Sequence, residues 1–152
     1  MLASKIITFL EPVDLDVVEV TLLSAEEYAT NKDIIPPTNK WWWLRSPGTL
    51  RFNAVYVRCD GNVGDRNVNH VGGYIRPALR IRNLKSSNIP TGSKFKLAEC
   101  TWTVLLDDLA LCDEEIDETC FREHLYTEDA NIYEKSDIKK YLEKWAKEVG
   151  IL

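Results

Sequence analysis

The chain has 152 residues, 45% of them hydrophobic and 10% aromatic, which excludes a disordered segment and is typical of one folded domain with its own core. Its net charge of −5 argues against nucleic-acid binding, which usually requires a basic surface. No apolar run approaches the roughly 20 residues of a membrane-spanning helix. We therefore expect a single cytoplasmic domain over residues 1–152, without membrane association.

Two strands are predicted at the start of the chain. IITFLEP and LDVVEVTLL are rich in β-branched residues, partly alternate in polarity and are separated by turn-like acidic residues. Acidic residues also stand where a signal peptide would carry a small-residue cleavage site, so we expect a strand here rather than a signal peptide.

A short helix and a loop are predicted next. Ser24 and Glu27 have the spacing of a capping box, which predicts a helix over SAEEYAT. The Pro36-Pro37 pair cannot continue a helix, because proline lacks the amide hydrogen that a helix needs. The segment that leads to three consecutive tryptophans is therefore expected to be a loop.

The strongest hairpin signal is FNAVYVRCDGNV, where alternating side chains run into Asp60-Gly61, a favoured two-residue turn. Successive side chains of a strand point to opposite faces, which puts Val55, Val57 and Cys59 on one face. We expect that face to point into the core.

The segment after the hairpin is polar and then apolar. GDRNVNHVGG is bounded by glycines and predicts a surface loop. YIRPALRIRN predicts a strand, in which Pro77 limits its own part to a sheet edge or a bulge, because proline cannot donate a ladder hydrogen bond.

One linker-like stretch divides the chain. It separates a motif portion at about 1–86 from a strand–helix portion at about 93–152, with the linker at about 86–92. In the later portion, FKLAECTWTVLLDDLALCD predicts two or three further short strands.

A C-terminal helix is predicted for SDIKKYLEKWAKEVG. Ser136 suits the N-cap position and Gly150 is placed to end the helix. One apolar stripe at helical spacing is expected to pack on the core. Its members are Ile138, Tyr141, Leu142, Trp145 and Val149. The complete pattern predicts an α+β fold of short strands with two helices.

The cysteines and histidines indicate neither a metal site nor a cofactor. Cys59, Cys100, Cys112 and Cys120 are separated by 41, 12 and 8 positions, and no Cys-x-x-Cys pair occurs. Structural zinc sites usually place ligands in closely spaced pairs. We therefore expect four reduced thiols, as in a cytosolic protein.

Charge is distributed unevenly along the chain. Residues 40–86 contain nine basic residues and two aspartates, a net charge of +7, whereas residues 107–129 contain ten carboxylates and Arg122, a net charge of −9. The two segments either face each other within one fold or serve as surfaces for charged partners.

Three ordered motifs resemble those of a known family. WWLRSPG at 42–48, A-x-x-V-x-x-D-G at 54–61 and RPAL at 76–79 are similar to the motifs of a family of small bacterial and phage proteins, over roughly residues 18–84. The family is described as a domain of unknown function and looks related to the C-type-lectin-like and formylglycine-generating-enzyme-like folds. The resemblance implies short twisted antiparallel strands, two helices and long loops on one side.

The order of the motifs differs from that of many relatives. A W-x-V strand and a Y-x-x-S-x-I-x-x-x-L helix precede the tryptophan motif in those relatives, but follow it here at 102–104 and 133–142. This resembles a circular permutation, which a fold with adjacent termini can tolerate.

Three motif residues are expected to form the scaffold. Trp42 lies on one face of an extended segment and Arg45 on the other, so at least one tryptophan should be buried. Arg45 and Arg76 each carry five N–H donors, which can satisfy several carbonyl groups or a carboxylate inside a loop-rich fold.

The candidate binding site is the polar surface over residues 51–74. Arginine, tyrosine and asparagine supply adaptable hydrogen bonds and flat amphipathic rings, which are typical of protein-recognition loops. This predicts a non-catalytic recognition module with a protein partner; a solvated hairpin without a partner is the alternative. The candidate contact residues are Arg51, Asn53, Tyr56, Arg58, Arg66, Asn67, Asn69 and Tyr74.

Two other functions are alternatives to recognition. The first is a divergent oxidase-like enzyme that uses Cys59, although the oxidases of the resembling fold rely on a copper-binding cysteine pair. The second is an inhibitor or decoy that uses the acidic segment 107–129 to occupy a basic site. The sequence contains no phosphate loop, no histidine cluster and no Ser-His-Asp spacing, so no catalytic residue is predicted.

Overall fold

The computed structural model describes residues 15–84 and 88–152, and within them the chain forms two five-stranded sheets, two α-helices and a 3₁₀-helix at Tyr133–Lys135. This confirms the predicted α+β class, while the strand predicted for IITFLEP lies outside the described residues. The strands are β1 (Val17–Thr21), β2 (Trp42–Pro47), β3 (Asn53–Val57), β4 (Val63–Asn67), β5 (Tyr74–Ile75), β6 (Ala78–Ile81), β7 (Lys94–Leu97), β8 (Cys100–Val104), β9 (Leu109–Cys112) and β10 (Asp117–Glu118), and the helices are α1 (Ala25–Asn31) and α2 (Asp137–Glu148). No helix among these residues has the length and apolar character to cross a bilayer.

The two sheets draw on both portions of the chain. The first sheet has the order β1-β6-β9-β8-β7 and is antiparallel throughout. The second has the order β10-β5-β2-β3-β4, with β2 and β5 parallel. In the first sheet β6 lies between β1 and β9, and in the second sheet β10 pairs with β5. The segment at 86–92 therefore does not separate two independent sheets.

The chain changes sheets at Arg76-Pro77. β5 ends at Ile75 in the second sheet, and β6 begins at Ala78 in the first. The Pro77 carbonyl accepts a hydrogen bond from the Cys112 amide at 2.9 Å. The segment YIRPALRIRN, predicted as one strand with Pro77 at an edge or a bulge, instead forms two strands, because proline ends the first and the second becomes an interior strand of the other sheet.

The β3–β4 hairpin is confirmed, but its turn differs from the prediction. The Arg58 amide donates to the Asn62 carbonyl at 2.7 Å, and the Gly61 amide donates to the Arg58 carbonyl at 2.9 Å. The loop is therefore Cys59–Gly61, with Gly61 in the left-handed region at φ +87°. β4 continues to Asn67, so the first part of the predicted polar loop is a strand.

The predicted inward face of the hairpin is confirmed for Val57, but Cys59 is exposed and the opposite face is buried as well. Ala54 and Tyr56 are buried in the larger core cluster, whereas Val57 is buried on the opposite face in a second cluster. Val55 is half-buried, and Cys59 is exposed at the loop. Alternation separated the two faces correctly, but it could not tell which face is buried, because both faces of this sheet are covered.

Strand β2 shows this two-sided burial most clearly. Trp43 packs edge-to-face on Phe121 in the larger cluster, with ring centroids 5.7 Å apart. Trp42 and Leu44 belong to the second cluster, where Trp42 packs on Tyr28 of α1 at 5.6 Å. The tryptophan motif is thus the layer between two hydrophobic clusters.

Both helices begin as their sequences predict. The Ser24 hydroxyl accepts from the Glu27 amide at 3.0 Å, and the Glu27 carboxylate accepts from the Ser24 amide at 2.8 Å, which completes a capping box. The Ser136 hydroxyl accepts from the Lys139 amide at 3.1 Å, and Gly150 follows α2 at φ +82°.

The apolar stripe of α2 packs on the core, with one correction. The buried side chains are Ile138, Leu142 and Ala146, and Tyr141 and Trp145 are half-buried. Val149 is 37% exposed, because it stands at the C-cap, where the helix has ended. Ala146 takes its place on the buried side.

Candidate functional site

Arg45 connects β2 to the start of α1. Its Nη1 donates to the Leu22 carbonyl at 2.6 Å and to the Glu27 carboxylate at 2.5 Å. Burial alone would raise the pKa of Glu27, but hydrogen bonds from Arg45 and from the Ser24 backbone outweigh it and hold that pKa below its usual range. Arg45 therefore occupies the scaffold position that the sequence suggested.

Arg76 is a buried part of the scaffold. Its side chain is 1% exposed and lies over the Trp42 ring, 4.8 Å from the ring centroid. Its Nε donates to the Cys112 carbonyl at 2.9 Å, and Nη2 lies 3.5 Å from the Asp113 carbonyl. Burial lowers the pKa of Arg76, although nearby Glu115 and Asp113 act in the opposite direction. The guanidinium thus joins the two sheets at the point where the chain crosses between them.

A cleft of about 300 Å³ lies above the Trp42–Arg76 pair. Its other walls include Tyr28 and Lys32, and on the hairpin side Asp60. The Tyr28 hydroxyl donates to the Gly61 carbonyl at 2.6 Å, which ties α1 to the hairpin loop.

The eight predicted contact residues are exposed to different degrees. Tyr56 is only 6% exposed, so most of its ring belongs to the core and only an edge faces solvent. The exposed members are Arg51, Arg58, Asn67 and Asn69, and the half-buried members are Asn53, Arg66 and Tyr74.

The structure brings three of these residues into one cluster with two that are not among the predicted contact residues. The Arg66 guanidinium lies 4.6 Å from the Trp41 ring centroid and 4.7 Å from that of Tyr56. Trp41 contacts Tyr56 and His70 edge-to-face, at 5.1 Å and 5.4 Å between centroids. Arg58 lies 5.9 Å from the Tyr56 ring. We name this cluster the arginine–aromatic face: Trp41, Tyr56, Arg58, Arg66 and His70.

The core holds this face in place. Trp41 packs edge-to-face on buried Trp43 at 5.1 Å, and the Trp43 indole donates to the Thr119 carbonyl at 3.0 Å. A Cβ at Gly73 would overlap the Trp43 indole and lie 2.7 Å from the Trp41 ring. Gly73 therefore permits the close packing of both rings against the backbone.

Three of the remaining predicted residues lie in two other places. Asn53 and Asn67 face each other at the end of the hairpin opposite its loop. There the Asp65 carboxylate accepts from the Thr49 amide and hydroxyl at 2.8 and 2.7 Å, which lowers the pKa of Asp65. Tyr74 packs on the side of Trp42, with Lys40 Nζ 4.3 Å from its ring centroid. The residues predicted as one surface thus do not all lie together.

The arginine–aromatic face suits recognition of anionic groups beside apolar ones. A guanidinium that stacks on a ring keeps its in-plane N–H donors for carboxylates. His70 Nδ1 donates to the Val71 carbonyl at 2.7 Å, which leaves Nε2 for an external partner. Beside it, the Val71 side chain is 74% exposed and offers an apolar contact.

The two cysteines that lie close together do not include Cys59, the residue of the oxidase hypothesis. Cys59 stands exposed on the hairpin loop. The two thiols that approach each other are Cys100 and Cys112, in β8 and β9 of the first sheet. The register of β8 and β9 brings this pair together, and that register cannot be deduced from the spacing of the cysteines along the chain.

Comparison with known proteins identifies a domain but not a function. The chain contains a domain of unknown function, DUF6273, at residues 16–83, which spans β1 to β6. No curated protein and no solved structure matches the chain. Since the first sheet also contains β7, β8 and β9, the matched segment covers only part of that sheet.

Proposed function

We propose that this protein is a non-catalytic recognition module that binds an acidic segment of a partner protein through the arginine–aromatic face. The observation that carries the proposal is the placement of Arg66 between the Trp41 and Tyr56 rings. Among the described residues the contacts of this guanidinium are to rings and not to carboxylates, so its charge is available to a partner.

The chemistry of the face favours a carboxylate beside an apolar side chain. Two guanidinium groups, Arg58 and Arg66, lie over an aromatic patch that includes Trp41, and exposed Val71 follows His70 in the chain. Charge-assisted hydrogen bonds to carboxylates are short and strong, and arginine with tryptophan is enriched among the residues that dominate binding at protein interfaces. A ligand with aspartate or glutamate next to an apolar residue fits both features.

A protein partner is favoured over a nucleic acid. Arginine stacked on aromatic rings also suits single-stranded nucleic acids. The net charge of −5 and the acidic segment 107–129 oppose the long-range attraction on which such binding depends. A short acidic peptide needs only the local positive charge of the face.

The wider interpretation of the chain rests on the sequence motifs. We infer a C-type-lectin-like fold in a cytoplasmic protein of bacterial or phage origin, circularly permuted relative to many members of its family. The pairing of β6 with β9 supports the circular permutation, since segments that are distant along the chain build one sheet.

A peptide selection tests the proposal with random sequences in place of a chosen partner. A random peptide library is selected on the full chain and counter-selected on a double variant, Arg58→Ala with Arg66→Ala. We expect enriched peptides to carry Asp or Glu beside an apolar residue, and their binding to weaken at least about tenfold in the double variant. A second arm titrates a single-stranded oligonucleotide.

The matched control is Arg82→Ala with Lys135→Ala, which removes the same charge from exposed positions away from the face. Peptides that bind the double variant and the control equally would refute the proposed face. Selective binding of the oligonucleotide would replace the protein partner with a nucleic acid.

A further inference from the structure

Two cysteines and one glutamate that are separated along the chain meet on one face of the first sheet. Trp102 pairs with Cys112 across β8 and β9, which places Cys100 two residues further along, opposite Glu114. The two sulfur atoms and a carboxylate oxygen of Glu114 all lie within 4.8 Å of one another. Cys112 is fully buried, Cys100 is half-buried and Glu114 is exposed, so the group opens to solvent on one side.

Backbone hydrogen bonds orient two of these side chains. Burial raises the pKa of the Cys112 thiol, and a hydrogen bond from the Glu114 backbone opposes that shift in part. The Thr101 amide lies 3.4 Å from Glu114 Oε1. Backbone donors to ligand atoms are the outer-shell interactions that position metal ligands.

The nearby cation does not neutralise this group. The Lys94 ammonium contacts Asp113 and Thr103. Those residues alternate with Cys112 and Trp102 along their strands and therefore project from the opposite face of the sheet. The carboxylate of Glu114 remains on the side of the two cysteines.

A nucleophilic role fits this pair less well than ion binding does. Burial raises the pKa of both the Cys100 and the Cys112 thiols. Reactive cysteines have a lowered pKa and a basic neighbour. A metal ion, in contrast, can displace the protons of buried thiols when a carboxylate lies beside them.

We propose that Cys100, Cys112 and Glu114 form a three-ligand site for a thiolate-preferring divalent cation, Zn²⁺. A tetrahedral zinc ion with Zn–S bonds of about 2.3 Å and a Zn–O bond of about 2.1 Å separates its ligand atoms by roughly 3.5–3.8 Å. The observed spread of up to 4.8 Å closes by about 1 Å of side-chain rotation. The fourth position is left to water or to an external ligand.

The test uses Cd²⁺ as a spectroscopic probe in the full chain under reducing conditions. The background variant is Cys59→Ser with Cys120→Ser, so that Cys100 and Cys112 are the remaining thiols. We expect a Cd²⁺–thiolate charge-transfer band in the ultraviolet that saturates at one ion per chain and is lost when Zn²⁺ is added in competition. Absence of the band in the folded background variant would overturn the proposal.

Three single variants in this background assign the ligands. Cys100→Ser and Cys112→Ser should each weaken binding at least about 100-fold, and Glu114→Gln about tenfold. If buried Cys112→Ser fails to fold, half-buried Cys100→Ser carries the test. Glu99→Gln removes the same charge near Cys100 and should leave the affinity unchanged. A band that survives Cys100→Ser, or equal affinities for Glu114→Gln and Glu99→Gln, would refute the three-ligand site.

Discussion

Two groups of arginines in the segment 40–86 differ in what their guanidinium groups contact. The anchored arginines, Arg45, Arg76 and Arg80, bind carbonyls or carboxylates from other parts of the fold. The hairpin arginines, Arg58 and Arg66, lie over aromatic rings. The same residue type thus stabilises the fold in one region and presents positive charge to solvent in the other.

Two of the anchored arginines form ion pairs with carboxylates outside the acidic segment 107–129. Arg45 and Arg80 pair with Glu27, and Arg80 also approaches Glu19, so their carboxylate partners come from β1 and α1. Within the acidic segment, Asp113 pairs with Lys94. These ion pairs join each segment to residues outside both segments, whereas Arg76 of the basic segment lies near Asp113 and Glu115 of the acidic segment.

Arg76→Ala should have the largest effect on stability. It removes a large buried side chain from the Trp42 ring and leaves the Cys112 carbonyl without its donor. We expect a loss of about 3–5 kcal/mol in the free energy of unfolding, measured by urea denaturation. Arg82→Ala, at a side chain that is 72% exposed, should change stability by less than about 0.5 kcal/mol. Equal losses in the two variants would remove Arg76 from the anchored group.

Glu27→Gln tests the ionic part of the anchoring. Glutamine keeps an oxygen for the Ser24 amide but loses the charged partner of Arg45, which we expect to cost about 1.5–3 kcal/mol at neutral pH. The folded-state pKa of Glu27 is lowered from 4.5, so its contribution is present above that value and is lost as pH falls through the lowered pKa. The stability difference between the two proteins should therefore shrink below about pH 4.5. A difference that does not change between neutral and acidic pH would contradict this account.

Gly73→Ala tests whether the core packing supports the hairpin arginines. The added methyl would overlap Trp43 and press on Trp41. We expect a loss of about 1–3 kcal/mol of stability and weaker peptide binding, because Trp41 supports the Arg66 guanidinium. Gly72→Ala is the neighbouring control for space, since no atom lies near its Cβ position, although its φ of +89° adds strain. If Gly73→Ala lowers stability but leaves peptide binding unchanged, the packing at Gly73 does not support the arginine–aromatic face.

Arg66→Ala should have a smaller effect on stability than the three core variants. A cation–π contact near the surface contributes about 0.5–1 kcal/mol. We therefore expect a stability close to that of the unchanged protein and a loss of peptide binding, measured by fluorescence anisotropy. A stability loss as large as that of Arg76→Ala would assign Arg66 to the anchored group instead.

The candidate site can be predicted from the sequence only in part. Arginine in a polar hairpin suggests recognition, which points to Arg58 and Arg66, and both lie in the cluster. The same reasoning points to Tyr56, but most of its ring is buried. It does not place His70 beside Trp41, because that contact depends on how the chain passes from β4 to β5, which lies next to β2.

Features that depend on neighbours a few residues apart can be predicted from the sequence alone. The Ser24–Glu27 capping box, the Ser136 N-cap and the β3–β4 hairpin each close through contacts within about five positions. Three other features require the folded chain: the change of sheets at Arg76-Pro77, the burial of both faces of β2 and the approach of Cys100 to Cys112. These features depend on which distant strands pair and in what register, and a one-residue shift of that register would move every side chain to the other face.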